Sequence, residues 1–432
     1  MSTAAPPQTD SSVSESLTPR RRSFRHCPPV ASPLPWQSVL NAIARVSRRR
    51  DTRGELCAYL ERRFAASDVL LFSSGTHALT AALTAALAHA STRIVALPGF
   101  ACFDLASAAI GAGADVVLYD IDPTTLAPDW ASFDDALAAG ASAAVVAPLF
   151  GIPVDWDRAS AIAGIRGAML IEDAAQAAGG AWMGRPMGSL GEASVLSFGR
   201  GKGWTGSGGG ALLLRSVSTS RSGDARARGR IARIARASDS AVADANVRDS
   251  VTAFLNACAQ MLLSHPAVYG IPAALPFLHL GETRFKPPTP QRRISGFSAA
   301  LALATADPSH AARRIRVRTA GAYKEHIGEL SGLTTFDTAV DANSDAGWLR
   351  YPVLASPALR GSLLRAFASD GVTTSYPIPL RSLGQLQSRL ARAAHTPGAD
   401  RLAAELLTLP THAHAAANLP GRISAFISQS QV

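Results

Sequence analysis

Lysine is almost missing from this chain. Lys202, Lys286 and Lys324 are its only lysines, and arginine supplies the rest of the 42 basic residues. Cysteine is scarce too. Cys27, Cys57, Cys102 and Cys258 show no paired or metal-like spacing. That argues against a disulfide framework or a metal site and suits reduced thiols in the cytoplasm. Although 47% of residues are hydrophobic, no purely apolar run reaches the roughly 18 residues of a spanning helix. The early basic residues precede no apolar stretch, so no secretory leader is expected. No internal repeat recurs at a fixed period, which excludes a solenoid.

The net charge is +10, and it is concentrated. Arg20, Arg21, Arg22, Arg25, Arg45, Arg48, Arg49, Arg50 and Arg53 load one segment. Arg215, Arg221, Arg226, Arg228, Arg230, Arg233 and Arg236 load another. Such clusters either attract anionic partners or reflect a coding bias that replaced surface lysine by arginine. Neither cluster has the interleaved aromatics of a single-strand binder, and no nucleic-acid partner is expected.

Residues 1–30 are rich in Ser, Thr, Pro and Arg and read as a disordered basic tail. Helical spacing begins at Trp36 and continues through Phe64. Short apolar runs then alternate with helical stretches: 68–72, 93–97, 115–119, 142–147 and 168–171. This alternation predicts a mostly parallel sheet with both faces covered, an α/β fold. A large domain is expected over 31–290, with 215–280 as an atypical connector, and a smaller α+β domain over 291–428. Within the connector, Val251–Leu280 reads as one amphipathic helix and an irregular tail, broken by Pro266, Pro272 and Pro276.

Three places carry chemistry. Ser74-Gly75-Thr76 stands where a strand turns into a helix, which suits either a phosphate site or an ordinary N-cap. Asp173 follows the apolar Met169-Leu-Ile171 and would face a ligand at the strand's carboxyl end, or else cap a helix. Glu172 has the opposite strand parity and points elsewhere. Lys202 lies in a glycine-rich turn after Ser197. Arginine stays protonated, whereas lysine can lose its proton and form a Schiff base. An acid opposite a pyridine nitrogen and a lysine on an aldehyde are the minimal kit for pyridoxal phosphate (PLP).

Four blocks in order then resemble the DegT/StrS family of PLP-dependent sugar aminotransferases. They are Ser74-Gly75-Thr76-His-Ala-Leu79; Leu97 to Cys102 with Tyr119-Asp120-Ile-Asp122-Pro123; Glu172-Asp173-Ala-Ala-Gln176-Ala; and Ser197-Phe198 with Lys202 and Gly209-Gly210. The tail Leu407-Thr-Leu-Pro410-Thr-His412 is similar as well. The resemblance covers residues 30–428 and implies the aspartate-aminotransferase fold (fold type I). It also implies a homodimer and a soluble enzyme moving an amino group from glutamate or glutamine to a keto sugar. The sugar is expected to be nucleotide-linked, for polysaccharide or glycosylated metabolites. A cyclitol acceptor, a sugar dehydratase and a non-catalytic scaffold are the other readings; the family's dehydratases usually carry His in place of the lysine.

Position by position, the resemblance makes Lys202 the Schiff-base lysine and proton shuttle. Asp173 becomes the partner of the pyridine nitrogen, Gln176 the contact at the ring oxygen, and Gly75, Thr76 and Ser197 the phosphate holders. The family's stacking aromatic falls on Cys102, leaving Phe100, Phe103 or Cys102 itself at the ring. The family's neighbouring-subunit Asn has no counterpart near Gly281–Arg293, where Arg284, Arg292 or Arg293 would substitute. Gly208 stands where the family has Glu. No metal is expected.

Overall fold

The computed structural model describes residues 26–88, 90–177, 179–215, 236, 242–273 and 283–430. Two helices come first, α1 (Trp36–Ser47) and α2 (Thr52–Phe64). They are followed by β1 (Asp68–Phe72), α3 (Gly75–Leu87), β2 (Ile94–Pro98), α4 (Phe103–Gly111), β3 (Asp115–Tyr119), α5 (Trp130–Ala138), β4 (Ala143–Val146), α6 (Trp156–Arg166) and β5 (Met169–Asp173). A small hairpin, β6 (Ala181–Trp182) and β7 (Arg185–Pro186), precedes β8 (Ala193–Ser197) and β9 (Gly210–Leu214). All five apolar runs of the sequence are strands.

Seven strands form one sheet in the order β1-β9-β8-β5-β4-β2-β3. Every neighbouring pair is parallel except those made by β9, which runs against both β1 and β8. The strands are Val-, Leu-, Ile- and Ala-rich and buried along nearly their whole length, as covered parallel strands must be. Helix starts are set by local polar residues: Asp129 accepts the Ser132 N–H, Asp155 the Arg158 N–H and Ser74 the His77 N–H. Because the strands run together, the ends of β1, β2, β5 and β8 open on the same edge. The loops after them are where a ligand site forms in such a sheet.

The segment after β9 falls largely outside the described residues, including most of the second arginine cluster. α7 (Val247–Leu263) and α8 (Pro266–Ala273) are helical, so Pro266 starts a second helix where an irregular tail was expected; residues 274–280 of that stretch lie outside the described residues. α7 begins with a reciprocal cap between Asn246 and Asp249. α9 (Gly296–Ala304) and α10 (Ala306–Ile327) follow; the break between them falls at Thr305, whose hydroxyl bonds back to Leu301 and across to Thr205. The remainder has β10 (Leu333–Thr335), β11 (Tyr351–Ala355), α11 (Pro357–Phe367), α12 (Pro397–Glu405), β12 (Leu406–Leu409) and α13 (Leu419–Ser430). β10, β11 and β12 form a second, antiparallel sheet.

Residues 1–25 of the expected tail lie outside the described residues. Residues 26–30 do not behave as tail: the His26 and Cys27 N–H groups donate to Pro266 and Ser369, and the Pro28 carbonyl bonds the His412 ring. Arginines 45 and 50 of the first cluster pair with Glu55. Arg215 is a core residue, donating to the Gly188 and Gly191 carbonyls and the Ser194 hydroxyl. Among the described residues, no helix is long and apolar enough to cross a membrane. None of their His, Cys, Asp or Glu residues form a group of three or more suited to hold a metal.

Candidate active site

The turn at the end of β1 and the end of β8 meet closely. A Cβ on Gly75 would lie 2.8 Å from the Ser197 Cβ, so only glycine fits there. Gly210 closes the other side: a Cβ there would come within 2.5 Å of the Gly75 nitrogen. Ser74 does cap α3, with its hydroxyl accepting the His77 N–H at 3.1 Å. The cap leaves the first N–H groups of α3, the Thr76 side chain and the Ser197 hydroxyl grouped around Gly75. The Ser197 oxygen accepts only a long 3.4 Å bond from the Gly199 N–H. Backbone donors, two hydroxyls and the helix dipole make a cradle that suits a phosphate.

Lys202 is held on a loop that closes on itself. The Gly206 and Gly208 N–H groups both donate to the Phe198 carbonyl, and the Phe198 N–H donates to Gly209. Gly208 sits at φ 134°, which explains why a side chain is absent at that position. Trp204 anchors the loop further. Its indole donates to the Ala302 carbonyl at 2.7 Å and its ring meets Phe198 edge-on at 4.9 Å. Fully buried Thr205 donates to Gln260 of α7 and accepts from Thr305. Through Gln260 the connector is therefore tied to the loop that carries Lys202. Lys202 and Ser197 also line a cavity with Tyr59, Arg63, Ala175, Trp204 and His310.

Asp173 ends β5, within electrostatic reach of Lys202. Burial raises its pKa; the Lys202 ammonium and the Ala175 N–H, 3.1 Å from Oδ1, pull the other way. Its carboxylate thus makes a local turn contact and also faces the lysine. Glu172 points to the other side, fully buried, and accepts from the Gly188 and Leu190 N–H groups and the Ser194 hydroxyl. Gln176 is occupied at both ends of its amide. Its oxygen accepts the Phe150 N–H and its nitrogen donates to the Tyr376 hydroxyl.

The aromatic question has a structural answer. Phe100 is fully enclosed, with its ring 5.1 Å from Tyr376. Phe103 is buried in the core between α3, α4 and the sheet. Cys102 is left beside the site: it caps α4 and lies in electrostatic reach of both Lys202 and Asp173. Burial pushes its thiol up to about 12. Two of the candidate substitute arginines make ion pairs within the chain. Arg292 pairs with Asp249 at 3.0 Å and Arg293 with Asp244 at 3.2 Å, and it is the Arg292 carbonyl, accepting from the Ser73 N–H, that touches the phosphate turn.

Sequence reasoning missed Tyr376, Gln260 and Arg350. For Arg350 a signal existed, because it is the sole charge in the run Trp348-Leu-Arg-Tyr-Pro-Val353 that enters β11.

A family model for the DegT/DnrJ/EryC1/StrS aminotransferase family matches residues 42–222 and 283–424. The chain belongs to this family. Among its curated relatives is an L-glutamine:2-deoxy-scyllo-inosose aminotransferase from Streptoalloteichus tenebrarius, 34% identical over 203 residues, or 44% of this chain and 47% of the relative. An L-glutamine:scyllo-inosose aminotransferase from Streptomyces griseus is 36% identical over 162 residues, 37% of this chain and 38% of the relative. These alignments span about half the length of those relatives or less. Solved structures of DegT-family and related aminotransferases match far more of the chain. TlmJ from Streptoalloteichus hindustanus aligns over 94% of this chain and 99% of its own, with a TM-score of 0.70 at 20% identity. DesI, solved with its TDP-sugar product, aligns over 95% and 93% with a TM-score of 0.67 at 22% identity. The chain shares its fold with these structures: an α/β unit around a mostly parallel sheet.

Proposed function

We propose that this chain is a PLP-dependent aminotransferase that takes the amino group of L-glutamine and delivers it to a ketone on a polyhydroxylated ring. The observation that carries the reading is that Lys202 lies in electrostatic reach of the buried Asp173, beside the Gly75–Ser197 cradle. These residues fit the cofactor: a lysine for its aldehyde, a carboxylate for its ring nitrogen and a phosphate cradle at its far end. When bound, the cofactor supplies an electron sink for the carbanion left after α-proton loss.

Asp173 would hold the ring nitrogen of the cofactor, and its buried setting would keep water from competing there. Once its amine is free, Lys202 serves as base and then acid, carrying a proton from the donor's α-carbon. Thr76, Ser197 and the first N–H groups of α3 would hold the cofactor's phosphate. Gln176, clamped by Phe150 and Tyr376, orients the groups at the ring edge.

A keto cyclitol is favoured as acceptor by the curated relatives, which are named for scyllo-inosose and its 2-deoxy form. A nucleotide-linked keto sugar is the second reading, favoured by the match to DesI. Function as a homodimer in the cytoplasm belongs to the same proposal.

Two measurements test it. Borohydride reduction of the loaded protein followed by peptide mapping is expected to place a pyridoxyl group on Lys202. Label on Lys286 or Lys324 overturns the site. Lys202→Ala is expected to lower turnover by at least about 10³-fold. Product formation from glutamine with 2-deoxy-scyllo-inosose, compared with a TDP-linked keto sugar, separates the two acceptors.

A further inference from the structure

The helices α1 and α7 adjoin each other on α9. Val39 and Ala42 of α1 and Ala253 and Ala257 of α7 close a small core there with Phe297 and Leu301. The sides of both helices turned to solvent are apolar as well. On α1 they carry Trp36, Leu40 and Ile43, one helical stripe at i, i+4 and i+7, with Trp36 58% exposed. On α7 they carry Val247, Val251, Leu255 and Leu262, a stripe of the same kind, with Leu255 59% and Leu262 65% exposed. A single exposed apolar side chain is ordinary, but this gathering on two adjoining helices marks a surface that meets a partner.

Most of this face lies outside the residues that the family model matches, 42–222 and 283–424: all of α7, Trp36 and Leu40. The charge around it is of one sign. Nearby acids are matched within the chain, Glu55 by Arg45 and Arg50, Asp244 by Arg53 and Arg293, and Asp249 by Arg292. Arg48 and Arg49, directly after α1, and Arg248, in the first turn of α7, are exposed and make no ion pair with another described residue. In the sequence Arg20, Arg21, Arg22 and Arg25 precede α1, and Arg226, Arg228, Arg230 and Arg233 precede α7. Both arginine clusters of the chain therefore adjoin, in sequence, the two helices that carry the apolar stripes.

We propose that the α1–α7 face docks on the surface of an anionic lipid bilayer. The apolar stripes enter the boundary between headgroups and acyl chains, and the arginines around them meet the headgroup phosphates. Trp36 suits that depth, since its ring is apolar and its indole N–H is polar. Helices of 12 and 17 residues, each with one side buried against α9, lie in the plane of the surface and do not cross it. A second copy of the chain fits the face less well. A two-fold contact sets the face against itself, so Arg48, Arg49 and Arg248 of both copies would crowd one interface. The inference is independent of the chemistry at Lys202: it concerns where the protein works.

The test is co-sedimentation of the full-length protein with vesicles of phosphatidylcholine, or of equal parts phosphatidylcholine and phosphatidylglycerol. Wild type is expected to bind the anionic vesicles at least about 10-fold more tightly than the neutral ones. Raising the salt to about 1 M should remove most of that preference. Leu255→Ser combined with Leu262→Ser is expected to weaken binding at least about 10-fold. Both side chains are exposed, so the variant should melt where wild type does. Arg48→Gln combined with Arg49→Gln is expected to weaken binding about 5-fold for each charge removed.

Wild type that stays in solution with both kinds of vesicle overturns the proposal. So does binding that the double serine variant retains in full while replacement of Arg20, Arg21, Arg22 and Arg25 by Gln abolishes it, because the apolar face is then idle. A smaller species for the serine variant than for wild type in analytical ultracentrifugation would assign the face to a second copy, and overturns it too. Transamination in solution without vesicles is expected to be equal in wild type and all the variants. A failed aminotransferase reading would therefore show there and leave the vesicle result intact.

Discussion

Glu172 and Asp173 are consecutive in β5, yet their carboxylates serve opposite sides of the sheet. Glu172 is closed into the core by two backbone N–H groups and the Ser194 hydroxyl. Asp173 opens toward Lys202. Strand alternation assigns one acid to stability and its neighbour to chemistry.

Glu172→Ala is accordingly expected to unfold the protein without touching the chemistry directly. Arg215, which burial lowers to about 10 and Glu172 pulls upward, would lose its nearby counter-charge. Stripping the Gly188 and Leu190 N–H groups and the Ser194 hydroxyl of their buried acceptor costs about 1–3 kcal/mol for each group left unsatisfied. Denaturant unfolding should show a loss of that size. A loss below about 1 kcal/mol, the usual value of an exposed pair, would mean that the acid is dispensable.

Asp173→Asn should behave in the reverse way. Burial raises the folded-state pKa of Asp173 above its unfolded value. Between those two values the folded protein holds the proton more tightly than the unfolded chain. Stability of the cofactor-free protein therefore falls as pH rises through that window and stays lower above it. The amide removes this penalty, so the cofactor-free variant should melt above wild type at pH 7 and show no gain at acid pH. Cofactor affinity should drop by at least about 10-fold, ~1.4 kcal/mol. An unchanged melting difference across pH would refute the burial argument.

Cys102 should be chemically quiet. With its thiol pushed to about 12, roughly one molecule in ten thousand is thiolate at pH 8, and only the thiolate reacts. Thiol titration of the native protein should leave Cys102 unmodified while denatured protein gives all four. Cys102→Tyr restores an aromatic beside the site, and a ring contact contributes about 0.5–1.5 kcal/mol beyond its buried area. Slower cofactor loss on dialysis, up to about 10-fold, is expected; faster loss would show that the position does not face the ring.

Gln260→Leu removes the acceptor of the buried Thr205 hydroxyl. An unsatisfied buried hydroxyl costs about 1–3 kcal/mol. The effect should be local: amide exchange at Thr205–Gly209 accelerates while the central strands stay protected. Uniform acceleration would contradict a dedicated anchoring role for α7.

The chain announced its sheet and half of its site plainly. Apolar runs with glycine turns can only be buried strands, and Asp173 ends one of them, where position follows from parity, while Lys202 was marked by its rarity and its glycine-rich loop. Gly75 was legible for the same reason, since a turn between strand and helix leaves few alternatives. Phe100 and the arginines at 284–293 were harder. Whether an aromatic faces a ligand or the core depends on Tyr376, 276 residues later, and whether an arginine is free depends on Asp244 and Asp249 across space. Gln260 stayed hidden because a partner group is a property of packing and not of spacing.

The segment from His26 to Ser32 has a mechanical consequence. It is bonded to Pro266 and Ser369 at its start, to His412 through Pro28, and to the lysine loop through the Ser32 hydroxyl on the Gly201 N–H. It works as a tether running from the antiparallel-sheet region to the loop that bears the reactive amine. A tug at one anchor reaches the other through seven residues of backbone. Swapping this stretch for a flexible linker would slacken the lysine loop from a distance, with every residue of the site itself untouched.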